Sequence, residues 1–189
     1  MRILIAEDEQ AIWKPYKIVL ENRGHKVIIA EDGEECLKKY KARIKSQNDK
    51  SKNSFDIDSK NTKQKNLQLS NIQMPFDAVI LDYRMPKKNG LEVAKEIFDI
   101  YPTQRIIFAS AYVKETLEQA VKQLKQVVEL LQKPFDPDTM ADQLEDVEIY
   151  NGLRTLLHNI KEFDIDNPSQ KQIHNLFESV KKIQKGRTF

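Results

Sequence analysis

Asp77-Ala78-Val79-Ile80-Leu81-Asp82-Tyr83-Arg84-Met85-Pro86, running on into Lys87-Lys88-Asn89-Gly90, is the stretch whose reading decides the fold. Val79, Ile80 and Leu81 form an apolar run too short for a helix and bounded by turn formers. That is the pattern of a strand buried on both faces of a parallel sheet. The run stops at a carboxylate, Asp82, and Pro86 and Gly90 then break the chain into a loop. Sites in open α/β sheets lie beyond the carboxyl ends of strands, so an aspartate ending a central strand stands where chemistry occurs. Alone, Asp82 would be equally well explained as a turn or helix-capping residue.

Working outward, four further segments read as strands: Ile3-Leu4-Ile5-Ala6, Lys26 to Ala30, Arg105 to Ala109, and Val127 to Leu131. Helical spacing lies between and after them. Ile12, Tyr16, Val19 and Leu20 make one stripe, closed by Asn22-Arg23-Gly24, with Pro15 predicting a late start or a kink. Cys36, Leu37, Tyr40 and Ile44 make a second, and Leu91, Ala94, Ile97, Phe98 and Tyr101 a third, ended by Pro102. Val113, Leu117, Ala120, Val121 and Leu124 make a fourth. The fifth runs from Asp138 to Val147, with Met140, Leu144 and Val147 inward. Five strands alternating with five helices predict an α/β fold with a parallel sheet, because parallel crossovers need intervening helices.

Length and composition fit one domain of ordinary size plus extra segments, at 189 residues, 40% hydrophobic and 32% charged. We assign residues 1–148 to that domain. Within it, from about 46 to 74, the pattern collapses into Ser, Asn, Gln, Lys and Asp, the composition of a low-complexity basic insertion. Residues 41–75 hold eight Lys or Arg against three Asp, although the whole chain carries a net charge of only +2. A near-neutral total argues against a protein built chiefly for nucleic acid. The single cysteine, Cys36, excludes an intrachain disulfide, and no run reaches the ~18 apolar residues of a membrane span. The N-terminus enters a strand directly, which predicts no signal peptide and a cytoplasmic location.

Polar residues converge on one edge of the predicted sheet. The first strand ends in Glu7 and Asp8, the third in Asp82, the fourth in Ser110 and the fifth in Lys133. Clustered carboxylates repel unless a cation joins them, and a hard divalent ion held by carboxylates, water and phosphate fits Mg²⁺. The lysine and the hydroxyl suit anionic oxygens, so the set predicts a phosphoryl site.

Glu7-Asp8, Asp82 within Leu81-Asp82-Tyr83-Arg84-Met85-Pro86, Asn89-Gly90, Ser110-Ala111 and Lys133-Pro134-Phe135 together resemble the receiver domain of two-component response regulators. The resemblance implies a flavodoxin-like fold, a five-stranded parallel sheet in the order 2-1-3-4-5 with helices on both faces. It implies that Asp82 accepts a phosphoryl group from a sensor histidine kinase or phosphotransfer protein in a phosphorelay. It implies Mg²⁺ held by Asp8, Asp82 and the backbone carbonyl of Arg84, with Glu7 acting through water. Lys133 would pair with a phosphoryl oxygen, Ser110 would hydrogen-bond one after phosphorylation, and Lys133-Pro134 resembles the family's cis peptide. Such a protein is a phosphoacceptor switch rather than an enzyme, although it catalyses its own phosphorylation and dephosphorylation. Two departures concern the switch: Leu130 stands where the family often has an aromatic residue, which leaves Tyr112 beside Ser110 as the nearby aromatic, and Gln126-Val127 replaces a common Gly-Ala.

Residues 149–189 read as a helical extension with two stripes, Leu153, Leu156, Leu157, Ile160 and Phe163, then Ile173, Leu176, Phe177, Val180 and Ile183. The acidic, Pro-containing break between them is unlike a helix-turn-helix. These apolar faces need the receiver, each other or a second subunit as partner, so a homodimer is among the expectations beside an unidentified downstream protein target. Two other functions compete. A transcriptional regulator would place these helices and the basic tail on DNA. An Mg²⁺-dependent aspartyl phosphohydrolase of the haloacid dehalogenase-like group wants a second Asp where this chain has Arg84.

Overall fold

The computed structural model describes residues 1–53, 74–111, 124, 126, 128–162 and 168–185, with side chains at all of these except 48, 50–53, 149 and 181–185. Among the described residues the chain forms five strands: β1 (Arg2–Ala6), β2 (Lys26–Ala30), β3 (Ala78–Asp82), β4 (Ile106–Ser110) and β5 (Glu129–Gln132). Six helices accompany them: α1 (Gln10–Asn22), α2 (Gly33–Asn53), α3 (Gly90–Ile100), α4 (Pro137–Glu145), α5 (Val147–Lys161) and α6 (Gln170–Lys185). The helix expected over Val113–Leu124 except Leu124 itself, most of the basic insertion, Tyr112 and Phe163 lie outside the described residues.

All strand pairs are parallel, in the order β2-β1-β3-β4-β5. This is the flavodoxin-like order that the resemblance implies. The alternation of strand side chains divides the core in two. Leu4, Ala6, Val79, Leu81, Ile106 and Phe108 face α2 and α3, where Cys36, Tyr40, Val93 and Ile97 meet them. Ile3, Ile5, Ala78, Ile80, Ile107 and Ala109 face α1 and α4, meeting Tyr16, Leu20, Met140 and Leu144. Both faces are covered, which is why these strands read as continuous apolar runs.

Local chemistry sets several element ends. Asn89 caps α3 reciprocally: its side chain accepts from the Glu92 N–H at 3.0 Å, and Glu92 accepts from the Asn89 N–H at 2.9 Å. Asp136 caps α4, accepting from the N–H groups of Asp138 at 3.0 Å and Thr139 at 3.1 Å, with Pro137 in the first turn.

Four expectations change. Helix α1 begins at Gln10 and continues through Pro15 rather than starting after it. Helix α2 runs to Asn53, past residue 46 where its apolar stripe stops; Gln47 hydrogen-bonds the Met74 carbonyl at 3.4 Å near its far end. Strand β5 starts at Glu129, two residues later than read, because Glu129 is where pairing with Ile107 begins. Val147 is 39% exposed rather than inward, since the chain breaks at Asp146 and starts a new helix there.

The two C-terminal helices pack against each other. Asn159 donates to the Asn175 carbonyl at 3.1 Å and to Ser179 Oγ at 2.7 Å across the seam. The first turn of α5 also contacts the sheet unit: Tyr150 is buried, with the Arg105 guanidinium 5.1 Å from its ring centre. No helix among the described residues is long and apolar enough to cross a membrane.

Candidate functional site

The carboxyl edge of the sheet gathers the predicted residues by parity. Glu7 lies two residues past Ile5, Asp82 two past Ile80, and Lys133 two past Leu131. All three therefore project on the α1 side of the sheet. Lys133 Nζ donates to Glu7 Oε2 and stands 3.4 Å from Asp82 Oδ2. One ligand atom each from Glu7, Asp8 and Asp82 lies within 4.8 Å of the others. Glu7 and Asp82 are largely buried beneath the rim, whereas Asp8 is exposed.

Neighbouring elements hold these groups in place. The ring of Phe135 stacks on Tyr16 of α1 with centroids 4.8 Å apart, seating the Lys133-Pro134-Phe135 loop, whose Lys133-Pro134 bond is cis. The Lys133 N–H donates to the Ser110 carbonyl at 2.9 Å. Ser110 is buried at the end of β4, level with Gln132 of β5, and shares the strand parity of Phe108 rather than of Asp82. Arg84 reaches the site through its backbone, since the Tyr83 and Arg84 N–H groups both donate to the Asp82 carboxylate. Leu130 packs on the α3 side with the cluster around Phe108.

Two glycines allow a close approach that sequence reading alone assigns no distance. A Cβ on Gly90 would stand 2.3 Å from the Asp82 carbonyl oxygen, and one on Gly33 would stand 2.2 Å from the Lys88 carbonyl oxygen. The start of α3 thus presses on the end of β3, with the Gly90 N–H bonded to the Tyr83 carbonyl at 3.0 Å. The start of α2 presses on the loop after Asp82. There Lys87 Nζ meets the Asp32 carboxylate at 2.5 Å.

Burial raises both the Glu7 and Asp82 carboxyls above their ordinary values. At Glu7 desolvation leads, Lys133 opposes it, and the Asp82 charge adds to it. At Asp82 desolvation leads again, opposed by Lys133 and the two backbone donors. The Tyr16 phenol is pushed up to about 12 by burial, with the Glu7 charge adding. One lysine facing three carboxylates leaves an excess of negative charge, and Glu7 Oε1 is buried without a hydrogen-bond partner. An oxygen-only donor set with an orphaned carboxylate atom suits a hard divalent cation. Mg²⁺ fits these residues.

The sequence profile of the response regulator receiver domain matches residues 50–145, half of the chain. The chain belongs to this family. The match takes in Asp82, Ser110 and Lys133; Glu7 and Asp8 lie ahead of it and join the site through β1. Response regulator RR06 of Streptococcus pneumoniae is 29% identical over 64% of this chain, a span equal to 41% of that relative, so well over half of its length has no counterpart here. Chemotaxis protein CheY of Thermotoga maritima is 25% identical over 77% of this chain and 96% of its own length. Among solved structures, response regulator protein TrrA of Thermotoga maritima in complex with Mg(2+)-BeF is 28% identical. It covers 76% of this chain and 96% of its own, with a TM-score of 0.51. The receiver fold and the two-component family are thereby established for this chain.

Proposed function

We propose that this receiver accepts a phosphoryl group on Asp82 from a sensor histidine kinase or phosphotransfer protein and switches a protein partner. The observation that carries this is the Asp82 carboxylate ending the central strand, 3.4 Å from the Lys133 ammonium and clustered with Glu7 and Asp8. An Asp82 oxygen attacks the phosphorus of a phosphohistidine protonated on its other ring nitrogen; the P–N bond breaks as the O–P bond forms, leaving an acyl phosphate and a neutral imidazole. Lys133 pairs with a phosphoryl oxygen. Burial has already desolvated the nucleophile, and the Tyr83 and Arg84 N–H groups hold its orientation. Asp8, Asp82 and the Arg84 carbonyl would hold Mg²⁺ directly and Glu7 through water. The ion would supply positive charge against the equatorial phosphoryl oxygens.

The group is stored, not turned over to a released product, so the chain is a switch that promotes its own phosphorylation and dephosphorylation. The cytoplasm is its proposed location, consistent with the lone, buried Cys36. Phosphorylation adds about −1.5 to −2 charges, which draws the Ser110 hydroxyl toward the phosphoryl group and shifts the population of the adjoining surface.

Output through protein contact rests on the exposed stripe Ile173, Phe177 and Val180 of α6, which a target or a second copy of the chain would cover. Incubation with acetyl phosphate and Mg²⁺ should add one base-labile phosphoryl group, lost in EDTA and in Asp82→Asn. Labelling of Asp82→Asn at the wild-type level would overturn the assignment. Binding to duplex DNA with a steep salt dependence would replace protein contact as the output.

A further inference from the structure

At the opposite pole of the sheet, away from Asp82, a cleft of about 510 Å³ opens between α5 and the loop joining α3 to β4. Its α5 wall presents Arg154, His158 and Lys161, and its other wall presents Thr103 and Gln126. Among the described residues that line it, none is acidic. We propose that this cleft binds a small molecule carrying a chain of phosphate groups, a ligand unrelated to phosphoryl transfer at Asp82.

The spacing argues for a chain rather than a single anion. Positions 154, 158 and 161 are i, i+4 and i+7, one face of the helix, spread over about 10 Å of its axis. A single tetrahedral anion can meet one or two of these groups, whereas a di- or triphosphate can meet all three. Arg154 brings a planar fork suited to bidentate phosphate binding. Its guanidinium lies 5.8 Å from the buried Tyr150 ring centre, which holds it at the mouth of the cleft. No carboxylate among the described residues forms an ion pair with Arg154, in contrast to Arg105, whose guanidinium is engaged by Glu129 at 2.6 Å. The hydroxyl of Thr103 adds a neutral donor, whereas that of Thr155 donates to the Asn151 carbonyl at 2.9 Å. The volume falls in the usual range for a small-molecule site.

The blander account is that cations near a helix C-terminus answer the helix dipole. That explains His158 and Lys161 in the last turn. It does not explain Arg154 two turns earlier on the same face, nor the lack of acidic residues among the described residues that line the cleft. The dipole also opposes an anion there, but as about half a charge near the last turn it is outweighed by the side chains.

The test is calorimetric titration of the full chain in EDTA, where the three-carboxylate pocket at Asp82 repels anions. Tripolyphosphate should bind more tightly than pyrophosphate, and pyrophosphate more tightly than orthophosphate. Arg154→Gln and Thr103→Asp should each weaken tripolyphosphate roughly tenfold or more. Lys171→Gln, on exposed α6 outside the cleft, should change nothing. All three variants should retain labelling by acetyl phosphate with Mg²⁺. If Arg154→Gln fails to fold by circular dichroism, Thr103→Asp, placed on a different element, decides the outcome. Equal affinity for the three anions, no binding of any, or a loss in Lys171→Gln matching that in Arg154→Gln would each overturn the proposal. ATP binding more tightly than tripolyphosphate would assign the ligand to nucleotides. Equal or weaker ATP binding would assign it to the phosphate chain alone, and both outcomes support the site.

Discussion

Asp82 and Glu7 are carboxylates whose burial works against their charge, and that has a measurable sign. Their native pKa values stand above the ordinary carboxylate values that the unfolded chain would show. Between the two values the native chain binds more protons, so the stability of the metal-free protein falls as pH rises through that window and is regained on acidification. At neutral pH the ionised pair therefore costs stability. Asp82→Asn should raise the urea midpoint of the metal-free protein, a gain on the order of 1 kcal/mol that should shrink as the pH is lowered. Urea melts from neutral to acidic pH check this; an Asn variant no more stable than wild type at neutral pH would contradict the desolvation account. Protons also compete with a divalent cation for the same oxygens. Mg²⁺ affinity by calorimetry should accordingly fall on acidification from a pH above the ordinary aspartate range, and titration at the ordinary value would contradict the raised pKa.

Among the elements, Arg105 stands between strands and helices in a way its sequence position conceals. It precedes β4, is almost fully buried, pairs with Glu129 at 2.6 and 2.8 Å, and donates to the Leu144 and Gln143 carbonyls at 2.7 and 3.0 Å. One guanidinium thus joins β4 to β5 and satisfies the open C-terminal carbonyls of α4. Arg105→Met should cost about 3–5 kcal/mol, because Glu129, largely shielded from solvent, would lose its partner. Chemical denaturation measures it; a loss below ~1 kcal/mol would show that Glu129 finds water instead. Gly90→Ala should behave differently. Its Cβ would meet the Asp82 carbonyl oxygen at 2.3 Å, and backbone on both sides must give way. Acetyl phosphate labelling of this variant should slow severalfold even at temperatures where circular dichroism shows it folded. An unchanged labelling rate would mean that the approach of α3 does not position Asp82.

These two cases mark what the amino-acid sequence discloses. Continuous apolar runs such as Ile3–Ala6 and Ile106–Ala109 are legible because both sheet faces are covered, and the polar residues ending them are legible because parity and strand polarity fix where they point. The pairing of Arg105 with Glu129 and of Tyr40 with the buried Gln104, at 2.8 Å, is not legible, because it joins residues brought together only by the finished sheet. The far end of α2 is hidden for another reason. Its polar residues after Ser46 carry no apolar stripe, so periodicity stops before the helix does.

Across the whole molecule, two poles of one sheet serve different ends: acidic oxygens and Lys133 at the carboxyl edge, Arg154 and the C-terminal helices at the other. The core between them is closed to solvent at Cys36, whose thiol is fully buried and pushed up to about 12. Its raised value means that its contribution to stability is intact below the unfolded thiol pKa and is lost as pH rises from there toward 12. A thiol reagent should react with the native protein only at the rate of unfolding; rapid modification at neutral pH would show that the α2 side of the core opens. The most direct test of the central claim is to map the phosphorylated residue itself. After acetyl phosphate and Mg²⁺, borohydride reduction of an aspartyl phosphate leaves homoserine, which peptide mass spectrometry locates. Homoserine at position 82 and nowhere else is the predicted result, and a phosphoryl group found on Ser110, a histidine or another carboxylate would contradict it.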